Sequence, residues 1–189
     1  MKNTLFALFV LLLTISVISA QATDKTVEKI RAYYNEVSEK ARVAETDDDQ
    51  GEFGDLIMNE LVINKRGHQW RAVGRFRETY KFFYKTWGES MYPETLVMVT
   101  EDRKVSDRSY TDEYLYDEKG ALLFYFQKAK NDTEVPAERT VYFNLGKAIR
   151  IVADEKKRDR LTAVDAATVK EIKAQSVKVK DLFMRSIKL

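Results

Sequence analysis

The sequence predicts an α+β fold: an N-terminal helix, an antiparallel β-meander of about six or seven strands, and a C-terminal helix packed on one face of the sheet. Three observations predict it. Apolar residues recur at three- and four-residue intervals near both ends of the chain. From Leu56 to about Ala153 the period falls to two. Within that region three turns, ending at Gly67, Gly120 and Gly146, separate apolar runs and ask glycine for a positive φ.

Residues 1–22 read as a secretory signal peptide. Lys2 supplies a positive start, Leu5 to Ile18 form a short apolar core, and Ala20-Gln21-Ala22 supplies the small residues of a cleavage site. The apolar core is shorter than the roughly 20 residues a bilayer span needs. No transmembrane span is therefore expected after cleavage. Removal of residues 1–22 leaves residues 23–189 as a single domain, large enough to bury a core without staples. The chain has no cysteine, which excludes disulfides, thiolate metal sites and a cysteine nucleophile. Small exported domains of animals are usually rich in disulfides, so the expectation is a bacterial exported protein, periplasmic or extracellular.

The first helix is predicted over 24–45, on Val27, Ile30, Tyr34, Val37, Ala41 and Ala44, with Thr23 or Asp24 as its cap. A polar loop, Thr46 to Asp55, ends it. The strands follow at 56–64, 69–85, 95–105, 109–117, 121–129, 138–144 and 147–153, joined closely enough to form a meander over 56–153. In the second strand, even positions from Trp70 to Tyr84 are mostly aromatic and odd positions mostly basic. Sixteen extended residues would reach roughly 50 Å, so a bend is expected at Gly74. Tyr114-Leu115-Tyr116-Asp117 with Gly120 resembles a hairpin unit of the tyrosine–aspartate repeat proteins; the resemblance is confined to that hairpin and implies no function. The closing helix is predicted over 165–187, with Val169, Ile172, Gln175, Ser176, Val179, Phe183, Met184 and Ile187 on its less polar side. Both helices are expected on the same face of the sheet. The other face, or an incompletely covered part of the first, is then free to bind.

Charge is balanced overall and uneven along the chain. Thr23 to Glu60 carries 5 basic and 11 acidic residues, and Lys147 to Leu189 carries 12 basic and 6 acidic. The simplest account is that the two ends lie together and attract each other. Export argues against nucleic acid as a partner.

Five features bear on chemistry. His68, the single histidine, follows Gly67 in a turn and reads as an exposed turn residue. Asp47-Asp48-Asp49 with Glu52 and Asp55 fails the EF-hand spacing and reads as a solvated acidic loop, so no metal site is expected. Arg75, Arg77 and Lys81, with Arg71 and Lys85, form a basic stripe that suits an anionic ligand or is answered across strands by Glu101, Glu113 or Asp117. Tyr114 and Tyr116 share a strand face and are candidates for stacking on a ligand. Glu78 is the one acid on the aromatic face of its strand, a candidate buried acid.

These features predict a non-enzymatic binding module with no cofactor, whose partner is a protein, polysaccharide or lipid of the cell envelope. An exported two-carboxylate hydrolase using Glu78 is the alternative, and requires a second carboxylate across a cleft. A third reading is an inhibitor or assembly factor of another exported protein, acting through a loop such as 86–94 or an open strand edge.

Overall fold

A computed structural model describes residues 2–46, 56–72, 74–86 and 95–187, with side chains described from residue 21 onward. The elements run α1 (Lys2–Thr46), β1 (Ile57–Ile63), β2 (Gln69–Trp70), β3 (Gly74–Lys85), β4 (Thr95–Val105), β5 (Arg108–Tyr116), β6 (Leu122–Lys130), β7 (Glu138–Asn144), β8 (Lys147–Ala153), β9 (Lys156–Arg158) and α2 (Ala163–Ser186). The α+β fold expected from sequence is the one observed. The main sheet is antiparallel, in the order β1-β3-β4-β5-β6-β7-β8-β9, with β2 paired to β3. From β3 to β9 each strand sits beside its neighbour in sequence because the connections are too short for a crossover, and β1 pairs with β3.

The turns behave as their glycines require. Gly67, Gly120 and Gly146 have φ of 65°, 73° and 72°. A side chain at φ > 0 is strained, so these positions favour glycine. The predicted bend at Gly74 is instead a chain reversal. Gln69 pairs with Arg75 and Trp70 with Gly74, so the long strand expected over 69–85 is a tight hairpin leading into β3. Gly74 has φ 78°, and a Cβ there would stand 2.9 Å from Ser106 Oγ. Arg71 consequently leaves the basic stripe for an exposed turn.

The helices cover opposite faces of the sheet, contrary to the shared face expected from sequence. On one face, Val27, Ile30, Val37 and Ala41 of α1 pack on Phe83, Met98, Leu115, Phe124 and Tyr142. On the other, Ile172, Val179 and Phe183 of α2 pack on Phe82, Tyr84, Val99, Tyr114, Tyr116 and Phe143. The physical reason lies in the strand centres. Phe82-Phe83-Tyr84, Leu96–Val99 and Tyr114-Leu115-Tyr116 are buried at consecutive positions. Consecutive strand side chains point to opposite faces, so both faces must be covered.

α1 is unbroken from Lys2, which places Thr23 and Asp24 inside it rather than at a cap. No glycine or proline interrupts the chain before Gly51, so nothing stops the helix there. Asp24 has a different task. Arg150, buried on the α1 face, reaches Asp24 Oδ1 at 2.7 Å and grips Asp159 with two bonds of 2.5 and 2.6 Å. Lys157 adds a second cation to Asp24 at 3.1 Å. The acidic N-terminal part and the basic C-terminal part therefore meet. Arg150 is buried with two carboxylate partners on its Nε and Nη2 groups, and a buried cation needs such pairing.

The start of α2 is a capping box. Asp165 N–H donates to Thr162 Oγ1 at 3.1 Å, and Thr162 N–H donates to Asp165 Oδ2 at 3.0 Å. Arg158 of β9 donates to both Asp165 oxygens at 3.0 and 2.7 Å. This pairing holds the Asp165 carboxyl down at about 2. A depressed folded-state pKa gives stability that is present above the usual carboxylate range and lost as pH falls through about 2. Asp165→Ala removes the reciprocal half of the capping box and leaves Arg158 unpaired. The expected loss is about 2 kcal/mol at neutral pH, measured by urea denaturation.

Candidate functional site

Beneath the flank of α2 the sheet changes from apolar to polar, one register step at a time. The apolar row is Phe82, Val99, Tyr114, Tyr125, Val141 and Ile151, each opposite the next across β3 to β8. Two residues further along, the row reads Tyr80, Glu101, Asp112, Gln127 and Arg139. The row after that begins Glu78, Arg103 and Tyr110. All lie on the α2 face, because strand side chains repeat every two residues. Thr168, Glu171, Gln175 and Lys178 of α2 close the far side, leaving a cleft of about 360 Å³. That volume lies in the range of small-molecule sites.

Two carboxylates form the floor. Asp112 is satisfied: Tyr125 Oη donates to its Oδ1 at 2.5 Å and Gln127 Nε2 at 3.1 Å, with Arg103 Nη2 4.0 Å from its Oδ2. Glu101 is not. It is 1% exposed, its Oε1 lies 3.4 Å from Tyr80 Oη, and its Oε2 has no hydrogen-bond partner among the described residues. Burial, reinforced by the Asp112 charge, pushes the Glu101 carboxyl up to about 7, against the pull of Arg103. Burial also pushes Asp112 up, while Tyr125 and Arg103 hold it back. A buried oxygen without a donor is unfavourable for the folded protein.

Cations stand around this floor. Arg103 lies 4.8 Å over the Tyr110 ring. Arg139 Nη1 donates to Gln127 Oε1 at 3.2 Å. Arg139 and Lys178 have no ion-pair partner among the described residues.

The residues singled out from sequence fall in different places. Glu78 is half-buried at the edge of this region, and Tyr80 Oη lies 3.2 Å from its Oε2. The same hydroxyl reaches Glu101, so the second carboxylate sought for Glu78 is Glu101. Tyr114 and Tyr116 are 2% and 1% exposed. Tyr116 is sealed under α2 and donates to Ser176 O at 3.2 Å, and Tyr114 packs against Tyr125 with centroids 5.3 Å apart. Neither offers an open ring face, because the apolar row continues under the helix.

The basic stripe does not act as a unit. Arg75 and Arg77 are exposed on the α1 face and have no ion pair with a described residue. Thr79 interrupts the stripe. Lys81 is half-buried and bound to Glu45 Oε2 of α1 at 2.8 Å. Its answer thus comes from the helix rather than from Glu101, Glu113 or Asp117. Glu101 faces the other way, Glu113 accepts from Tyr34 Oη at 2.5 Å, and Asp117 accepts from the Lys119 and Ala121 amides of its own turn. His68 is an exposed turn residue whose N–H and carbonyl both bond the Asn64 side chain. The acidic residues 47–55 and positions 87–94 of the loop 86–94 lie outside the described residues.

Sequence reasoning missed the Glu101–Asp112 floor. The signal was present as two adjacent acid pairs, Glu101-Asp102 and Asp112-Glu113, in otherwise buried strands. Such a pair puts one carboxylate on each face and does not say which face is enclosed. Among the described residues no group of three His, Asp or Glu could hold a metal, and no helix is long and apolar enough to cross a membrane. No family model, no curated protein and no solved structure matches the chain.

Proposed function

We propose that this protein is an exported, non-enzymatic binding module of the bacterial envelope or its surroundings, and that its site is the cleft beside α2. One observation carries the reading: Glu101 is enclosed, lines the cleft and keeps a carboxylate oxygen without a donor. A ligand donor at Oε2 would supply the missing bond. Tyr80 lies at Oε1 and Gln175 of α2 also bears on this carboxyl, and neither closes Oε2 with a hydrogen bond. Export rests on the charged start, apolar core and Ala20-Gln21-Ala22 of the first 22 residues.

The test uses protein purified from the exported fraction of an expressing bacterium. Its mass should correspond to a chain beginning at Thr23. Its melting temperature is then measured against sugars, amino acids and peptides, fatty acids, divalent cations and anionic polymers. A ligand at 100 times its dissociation constant adds about 2.7 kcal/mol. A saturable shift with one class of small polar molecule, abolished by Glu101→Ala, is the expected result. An intact leader overturns export, and a panel without any shift overturns the small-ligand site.

A hydrolytic reading has one observation in its favour. Glu78 and Glu101 both lie within hydrogen-bond distance of Tyr80 Oη, so their oxygens can be no further apart than the sum of 3.2 and 3.4 Å. That upper limit leaves room for the roughly 5–5.5 Å separation of retaining two-carboxylate hydrolysis. Turnover of a chromogenic glycoside by the same preparation, lost in Glu78→Gln, would favour it over binding.

A further inference from the structure

Two lysines fix where α2 lies on its face of the sheet. Lys173 Nζ donates to Gly146 O at 3.0 Å, and Lys180 Nζ donates to Gly120 O at 2.6 Å. The helix therefore runs beside the β7–β8 and β5–β6 turns, and Phe183 then packs on Phe82 and Tyr84. The opposite end of this face, at the β4–β5 turn, keeps an open hollow of about 600 Å³. That volume is in the range of small-molecule sites. Phe76 and Val105, partners across β3 and β4, form its floor. The next row toward the cleft supplies Glu78, Arg103 and Tyr110.

Trp70 extends this floor. It pairs with Gly74, so it shares a face with Phe76. Glycine offers no side chain, and the indole packs on Phe76 with ring centroids 5.5 Å apart. Trp70 is nevertheless 53% exposed, unusual for so large an apolar ring. Beside the rings, the Arg103 guanidinium is held 4.8 Å over Tyr110, which fixes its donors in place before any ligand arrives.

The surroundings narrow the ligand class. β4 is hydrogen-bonded on both sides, to β3 and β5, so the floor has no free strand edge for a peptide to extend. Charge is balanced, with Glu78 and Asp107 against Arg103 and Arg108, and Arg108 is also paired with Asp132 at 3.4 Å. No excess of one sign draws in a polyanion or a polycation. An open ring face beside charged hydrogen-bonding groups matches a sugar, whose ring carbons present a C–H face and whose hydroxyls both donate and accept. We propose that this hollow binds a neutral saccharide, with a sugar ring on Trp70 and Phe76 and its hydroxyls on Glu78 and Arg103. The assignment does not depend on a ligand at Glu101. Arg103 borders both the hollow and the cleft, which places the two side by side.

Calorimetric titration of the purified protein with cellohexaose, maltohexaose and chitohexaose tests the assignment, with a heparin hexasaccharide as the anionic comparator and tryptophan fluorescence as a second readout. At least one neutral hexasaccharide should bind saturably, more tightly than heparin, and shift the emission to the blue. Trp70→Ala should weaken that binding by about ten-fold or more. Trp70→Phe keeps a ring at the position, so binding should persist there while the blue shift disappears. Trp70 is exposed, so neither substitution opens the core. The assignment falls if no neutral hexasaccharide binds, if heparin binds more tightly, or if Trp70→Ala binds as the wild type does.

Discussion

Phe183→Ala should destabilise the protein by about 3–5 kcal/mol, the cost of removing a fully buried aromatic ring and leaving its cavity. Phe183 is 2% exposed and lies with ring centroids 5.5 Å from Phe82 and 5.4 Å from Tyr84. It is the C-terminal anchor of α2, as the Asp165 cap is the N-terminal one. Between them the helix contributes Ile172 and Val179 to the core, and the cleft opens along its flank. A domain of this size has a total stability of roughly 5–15 kcal/mol, so the loss is a large part of it. The urea midpoint should fall with an unchanged slope, because the same surface is exposed on unfolding. Met184→Ala, one residue along on the exposed side, should change stability by no more than about 0.5 kcal/mol. Similar effects for the two variants would contradict this docking of α2.

Glu101→Gln should instead stabilise the protein, and only above acidic pH. The folded-state value of Glu101 is raised from the ordinary 4.5 to about 7 by burial and by Asp112. Between those values the unfolded chain has released the proton while the folded chain keeps it, so wild-type stability falls as pH rises across the window. Below it both states are protonated and the carboxyl behaves as a neutral group. At about 1.4 kcal/mol per unit, the substitution should add up to about 3 kcal/mol at pH 8 and almost nothing at pH 4. The other charged and titratable groups facing Glu101 are Asp112, Arg103, Glu78 and the Tyr80 and Tyr114 hydroxyls, with Gln175 opposite on α2. Asp165 titrates near 2, outside this window, and does not confuse the comparison. Urea midpoints at the two pH values give the answer. A difference independent of pH, or a less stable variant at pH 8, would show that Glu101 is not an enclosed acid.

Under the proposed binding role, a residue that weakens the fold when charged has a simple use. Residues placed for binding commonly lower stability, and the gain returns when the ligand supplies the missing partner. Glu101 meets that description in a way that Arg75 and Arg77 do not. Those arginines are exposed and cost the fold nothing, so nothing in their surroundings requires a ligand.

Local signals made much of this architecture legible in advance. The change of period from about 3.6 to 2 and back, and the turn glycines, placed the end of α1, both ends of α2 and six of the nine strands close to their observed bounds. Turn chemistry and alternation depend on residues a few positions apart, and sequence shows those directly. The β2–β3 hairpin escaped because an aromatic–basic alternation continues on both sides of Gly74, and a reversal there looks the same as a bend. Tyr114 and Tyr116 were legible as sharing a face but not as buried, since tyrosine serves both cores and surfaces.

By itself the sequence determined the element order, the antiparallel meander, the absence of disulfides and the leader-like first 22 residues, because each follows from spacing or composition along the chain. The tertiary structure alone decided that the helices lie on opposite faces, that Lys81 is answered by Glu45, and that Glu101 and Asp112 are neighbours under α2. Those outcomes depend on strand register and on which face each helix covers. Both are set by packing between residues far apart in the chain, where a one-residue change of register exchanges the buried acid for its half-buried neighbour.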